Sequence, residues 1–166
     1  MNNTYNFTTQ STFLDRLKNY QPNAYAIIKG NNDNPELNGT VYLYETENGV
    51  LVETELFNLP FSSPDNNIKF YGMHIHEFGD CTLPFDKTGN HYNPLNEPHP
   101  MHAGDMPPLL GNSGYAYSVF YTERFTIPEI LQHSFIIHGS PDDFITQPSG
   151  NSGEKIGCGV IKRYQK

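Results

Sequence analysis

Between residues 78 and 114 the chain is rich in Gly, Pro and Asn and shows no sustained hydrophobic period. Loops of that length are unusual in a compact domain, and they are commonly functional or held by something other than an apolar core. This one contains a dense polar run, His91-Tyr92-Asn93-Pro94-Leu95-Asn96-Glu97-Pro98-His99-Pro100-Met101-His102-Ala103-Gly104-Asp105. Three imidazoles and a carboxylate thus fall within fifteen residues. Together they can complete the tetrahedral shell that suits zinc in a closed site. A bound ion would also supply the energy to order a loop that lacks a core.

Around this loop the pattern is one of short strands between turn signals. Residues 24–29 read as a strand, followed by the breaker Gly30-Asn31-Asn32-Asp33-Asn34-Pro35. Residues 40–45 alternate, with Val41 and Leu43 on one side, and Glu47-Asn48-Gly49 marks a hairpin turn into a strand over 50–58. Further strands are expected over 69–77, 115–121, 134–138 and 157–163, with a short helical turn over 127–132. A second loop, rich in Pro, Ser, Gly and Asp, separates the last two strands. The expectation is an all-β domain over residues 23–166, with about eight strands and two long loops. Residues 1–22 read as an N-terminal extension. Within it, residues 11–18 begin with cap-type residues and place Phe13, Leu14 and Leu17 on one helical face, which predicts a short helix packed on the domain.

A length of 166 residues suggests one domain, and with 14 Gly, 13 Pro and only 17% charged residues, many turns and few long surface helices follow. The net charge of −8 argues against nucleic acid and anionic lipid as partners. No stretch is long and apolar enough to cross a membrane. The start Met1-Asn2-Asn3-Thr4-Tyr5-Asn6-Phe7 has neither a basic region nor an apolar one, so no secretory signal is expected and the default placement is cytoplasmic or host-intracellular. There are two cysteines, Cys81 and Cys158. In a cytosolic protein they read by default as free buried thiols, and counting leaves their pairing open.

All seven histidines lie at or after residue 74. His74 and His76 are spaced two apart on an expected strand, so both side chains face the same way. His138 ends the apolar run Phe135-Ile136-Ile137. Sites with three or four imidazoles suit copper(II). His74, His76 and His138 supply three, and His91 sits at the junction with the zinc-type group.

These segments resemble the copper/zinc superoxide dismutases. Met73-His74-Ile75-His76-Glu77 resembles the family's His-x-His copper motif, and Gly89-Asn90-His91-Tyr92-Asn93-Pro94 the surroundings of its bridging histidine. Pro98-His99 and His102-Ala103-Gly104-Asp105 resemble the zinc ligands, and Ile137-His138 the last copper ligand. The stretch Gly153-Glu154-Lys155-Ile156-Gly157-Cys158-Gly159-Val160-Ile161 resembles the signature around the second cysteine. The resemblance spans residues 23–163 and the spacing, with two residues between His99 and His102, is similar to the bacterial, short-loop members.

The resemblance implies an eight-stranded Greek-key β-barrel. It implies one copper per chain on His74, His76, His91 and His138, and one zinc per chain on His91, His99, His102 and Asp105, with His91 bridging. It implies that Asp142 hydrogen-bonds a copper histidine and a zinc histidine, and that Cys81 and Cys158 form a disulfide. The implied reaction is disproportionation of superoxide to dioxygen and hydrogen peroxide by a Cu(II)/Cu(I) cycle, with His91 exchanging a proton. Lys155 stands where the family usually has an arginine, keeping the charge but not the planar fork. Lys155 is therefore the first candidate for guiding superoxide, and Lys87 a weaker one. A superoxide dismutase-like metal-binding protein with little turnover is the second reading. The family forms dimers through different faces in different groups, so a homodimer is a candidate assembly. His133 matches no ligand position and reads as a surface residue.

Overall fold

The computed structural model describes residues 8–63 and 65–165. A helix, α1 (Thr8–Asn19), precedes the strands β1 (Ala24–Gly30), β2 (Asn38–Glu45), β3 (Val50–Phe57), β4 (Ile68–Tyr71) and β5 (Met73–His76). After the long loop come β6 (Leu109–Asn112), β7 (Ala116–Thr122), a single helical turn α2 (Ile127–Ile130), β8 (Ser134–His138), β9 (Lys155–Val160) and β10 (Lys162–Arg163).

The strands form one antiparallel wall in the order β5-β8-β9-β1-β2-β3-β7, with β10 beside β1. β7 turns back into β6 through Ser113 and Gly114, both at positive φ, as tight hairpins of the favoured hand require. β6 pairs with β4, and β4 runs through Gly72 into β5, so the circuit closes on itself. Counting β4 with β5 and β9 with β10 as single passages gives the eight strands of a Greek-key barrel. The crossing connections are those from β3 to β4 and from β7 to β8, whose strands are not neighbours.

Period-2 alternation fills the barrel. Ala24, Ala26 and Ile28 of β1, Val41 and Leu43 of β2, and Val50, Val52 and Leu56 of β3 lie in one core cluster with Met73, Ile75, Phe135 and Ile137. Their neighbours on β8, Ser134, Ile136 and His138, point to the outer side of the wall.

The expected strand over 69–77 is broken at Gly72. There the chain changes partner, because Gly72 donates to Ser140 O (2.8 Å) and accepts from His138 N (2.9 Å). β6 lies in what the sequence marks as loop, since Pro107-Pro108 and Gly111 obscure a four-residue alternation. α1 is longer than expected, and residues 1–7 of the extension lie outside the described residues. Phe13 stacks on Tyr121 (5.1 Å) and Leu17 is half-buried, but Leu14 is 49% exposed. Successive helical positions are about 100° apart, and the helix meets the barrel along a stripe too narrow to include Leu14.

Two loops, 77–108 and 139–154, fold over the outer side of β5 and β8. The first is fastened by the Cys81–Cys158 disulfide and by a small cluster of Phe85, Ile136 and Cys158. No helix among the described residues is long and apolar enough to cross a membrane.

Candidate metal centre

The outer side of β5 carries His74 and His76, and their cross-strand partners on β8 are Ile136 and Ser134. The opposite edge of β5 is taken by the first loop. Tyr92 donates to Ile75 O (2.8 Å), Ile75 to Gly104 O (2.9 Å) and Glu77 to Asn90 O (2.9 Å). This pairing sets His91 opposite His76 and Asp105 opposite His74. Gly104 permits the close approach, since a Cβ there would stand 2.4 Å from Ile75 O.

Two groups of donors result. His74, His76, His91 and His138 converge, and so do His91, His99, His102 and Asp105, the candidate atoms of each group lying within 4.8 Å of one another. All seven residues are buried, and His91 belongs to both groups. The rings of His74 and His91 stack at 3.9 Å.

Hydrogen bonds decide which ring nitrogens are free. A carbonyl or carboxylate only accepts, so the nitrogen facing it carries the proton. His76 Nδ1 donates to Gly89 O (2.9 Å) and His138 Nδ1 to Gly153 O (3.2 Å). Asp142 accepts from both groups, from His74 Nε2 at 2.7 Å and from His99 Nε2 at 2.9 Å. In the neutral rings this leaves bare lone pairs on His74 Nδ1, His76 Nε2, His138 Nε2 and His99 Nδ1. The Nε2 atoms of His76 and His138 face each other at 3.3 Å, and His99 Nδ1 faces Asp105 Oδ2 at 3.0 Å. Acceptors opposed at such distances repel unless a cation lies among them. Moreover His74 Nδ1, His91 Nε2, His99 Nδ1 and His102 Nδ1 are buried without a hydrogen-bond partner, a costly state for a polar atom. The donor sets therefore fit two metal ions, four imidazoles being apt for copper and three imidazoles with a carboxylate for zinc.

Ionisation agrees. Burial, reinforced by His138 and His91, pushes the His76 pKa down to about 2. Burial with neighbouring His74 pushes His138 down to about 3. Burial also lowers His74 and His102. For Asp142 burial acts upward, but hydrogen bonds from His74, Phe144 N–H and His99 outweigh it and hold the carboxyl well below the usual range. Asp105 is likewise lowered, burial being outweighed by His91 and the other rings.

A pocket of about 440 Å3 reaches the first group, lined by His76, His91, His138, Glu77, Ser149 and Lys155 among others. Lys155 is its one Lys or Arg among the described residues. Its Nζ donates to Thr88 Oγ1 (2.8 Å) and Gly89 O (3.1 Å), and burial lowers its pKa. Lys87 lies off the pocket, its exposed Nζ 3.9 Å from Asp80.

The chain matches the family model described as copper/zinc superoxide dismutase over residues 37–161. The chain belongs to the copper/zinc superoxide dismutase family. It is 35% identical over 147 residues to the copper–zinc superoxide dismutase 1 of Aquifex aeolicus, covering 79% of this chain and 83% of that one. It is 31% identical over 157 residues to the copper–zinc superoxide dismutase of Caulobacter vibrioides, covering 84% and 85%. Among solved structures, a double mutant of a SOD-like protein from Bacillus subtilis superposes with a TM-score of 0.72 at 30% identity, covering 82% of this chain and 95% of that one.

Three contributors have no sequence mark. His133, expected at the surface, is half-buried: its Nδ1 donates to His76 O (3.1 Å) and its ring packs on Tyr92 (4.6 Å). Gln147 brackets the His99 backbone, donating to its carbonyl at 2.6 Å and accepting from its N–H at 3.0 Å. Gly150 passes so close to Asp142 that a Cβ would lie 2.0 Å from Oδ1; the loop could not close there around a larger residue.

The depressed histidines fix the pH response of the metal-free protein. Unfolded, His76 and His138 titrate near pH 6.5; folded, near 2 and 3. The unfolded chain binds more protons between these values, so stability is present above pH 6.5 and is lost as the pH falls below it. Urea unfolding of chelator-treated protein should lose roughly 3 kcal/mol between pH 6.5 and 5. An unchanged midpoint would contradict the buried, neutral state of these rings.

Proposed function

We propose that the chain disproportionates superoxide, with one copper held by His74, His76, His91 and His138 and one zinc held by His91, His99, His102 and Asp105. The observation that carries this reading is the position of His91. Its Nδ1 lies 2.7 Å from Asp105 Oδ1 in one donor group, its Nε2 is buried without a hydrogen-bond partner, and the residue is a member of both groups. A single ring serving both groups is what a bridged pair of ions needs.

Copper, when bound, supplies the one-electron change between Cu(II) and Cu(I), so that one superoxide is oxidised to dioxygen and the next reduced to peroxide. The protein's part is positioning, proton supply and electrostatics. His91 Nε2 is the atom that takes and gives a proton, because Nδ1 is engaged on the zinc side. The peroxide's second proton comes from solvent. Asp142 fixes the orientation of His74 and His99 together, which couples the two ion sites through one carboxylate. Lys155 supplies local positive potential at the pocket. With a net charge of −8 the whole molecule repels superoxide, so a local field must draw the anion in. Because the Lys155 ammonium is tied to Thr88 and Gly89, it acts as a fixed charge at the pocket wall rather than a mobile arm.

A second reading, a metal-binding relative with little turnover, draws on two observations. Lys155 stands in place of the arginine that the family resemblance calls for, and the chain superposes on a Bacillus subtilis protein described as SOD-like.

Self-association as a homodimer fits one surface. The outer faces of β3, β7, β6 and β4 present Phe57, Tyr117, Leu110, Ile68 and Phe70, and the β6–β7 connection adds Tyr115, each at least 40% exposed. Phe57 and Tyr115 pack at 5.4 Å. Aromatic side chains bury some 150–250 Å2 each when fully covered, so this patch, with its four partly exposed aromatics, can bury several hundred Å2. A standard interface covers about 800 Å2 per partner, and a second copy of the chain is the occupant we assign.

Four experiments test these assignments. Metal analysis with a superoxide assay should give one copper and one zinc per chain and rapid turnover. His138→Ala should lose copper and turnover but keep zinc. Zinc-loaded protein that binds copper weakly and turns over near zero would favour the second reading instead. Lys155→Glu should lower the rate several-fold at low ionic strength and weaken its salt dependence, and an unchanged rate removes Lys155 from the mechanism. Phe70→Glu should convert a dimer to a monomer in sedimentation; a monomeric parent, or a variant that stays dimeric, shows the face is not used.

A further inference from the structure

Arg124 lies just after β7, between Asp105 and His138 in sequence and outside both donor groups. Its Nη1 lies 3.2 Å from Pro100 O, 3.3 Å from His102 O and 3.3 Å from Asp105 O. Two of those carbonyls belong to residues of the zinc-type group. The turn between them is tight: Met101 N–H donates to Pro98 O (2.8 Å), Asp105 N–H to His102 O (3.2 Å), and His102 N–H to Asp105 Oδ2 (3.1 Å).

Three carbonyl dipoles aimed at one point repel each other unless a cation sits there, and a guanidinium nitrogen does. The side chains of His102 and Asp105 join His91 and His99, while their carbonyls are gathered by Arg124. The same turn is thus gripped on its backbone by a fixed charge and on its side chains by whatever ion the donors hold.

We propose that Arg124 is a positioning residue for the zinc-side cluster, holding the 100–105 turn in its ion-binding shape before an ion arrives. The proposal rests on the reading of that cluster as a zinc site. Removing such a supporting contact typically costs ten- to a hundredfold in metal affinity. Arg124 is exposed, which places the expected effect at the lower end, about tenfold. Lysine, a compact cation with three donors, can occupy the same carbonyl nest and should restore most of the loss.

The test titrates Zn2+, and Co2+ as a spectroscopic probe, into metal-free full-length protein. Arg124→Met should weaken binding at the His99/His102 cluster about tenfold and alter the visible Co2+ bands, with copper-side affinity unchanged. Arg124→Lys should recover most of both. Thr126→Ala is the control: it removes the cap of α2, where Thr126 and Glu129 form a capping box, and loosens the same connection without touching the turn. Zinc affinity of Arg124→Met within twofold of the parent, or an equal loss in Thr126→Ala, overturns the proposal. A parent protein that takes up no Zn2+ at this cluster overturns the zinc reading itself, and the role of Arg124 with it.

Discussion

The free edge of β5 organises the rest of the molecule. An uncovered strand edge offers unpaired N–H and C=O groups, and the first loop answers them at Ile75 and Glu77. Strand pairing has a period of two, so fixing the register at Ile75 also fixes which loop side chains stand beside His74 and His76. Backbone hydrogen bonding brings His91 and Asp105 there, and their side chains then meet at 2.7 Å. β8 fills the other side of β5 and brings His138 by the same means. The donor groups are therefore a by-product of sheet geometry extended into a segment with little regular structure of its own.

Electrostatics then acts on a frame already built. Burial disfavours the charged forms of His74, His76, His102 and His138, while hydrogen bonds to Gly89, Gly153 and Asp142 select one tautomer for His76, His138, His74 and His99. The outcome is a set of lone pairs aimed at one another, stable as a unit only with cations among them. Asp142 ties the halves together, and Gly150 and Gln147 hold the second loop against it. The disulfide and Phe85 do the same for the first loop from outside.

Much of this could be read from the residues. The alternation of β2, the Asn48-Gly49 hairpin and the apolar β8 announce an all-β domain, the family resemblance makes that domain a barrel, and the dense His91–Asp105 run announces metal chemistry. What escaped reading has physical causes. Gly72 breaks a strand because the partner strand changes, a tertiary event that local pattern does not carry. β6 is too short for its alternation to stand out between prolines and a glycine. Leu14 follows the helical period yet stays exposed, because the barrel offers only a narrow contact. His133, Gln147 and Arg124 act on the main chain, and a carbonyl's neighbour leaves no trace in residue type.

The donor groups lie on the outside of the barrel wall, with Met73, Ile75, Phe135 and Ile137 sealing the inside. Filling the sites does not require the hydrophobic interior to open. An ion would have only to pass the two surface loops, so loading and exchange would need motions of the covering, on the timescale of loops rather than of unfolding. The barrel would be a finished object before any metal arrived, and would outlast its loss.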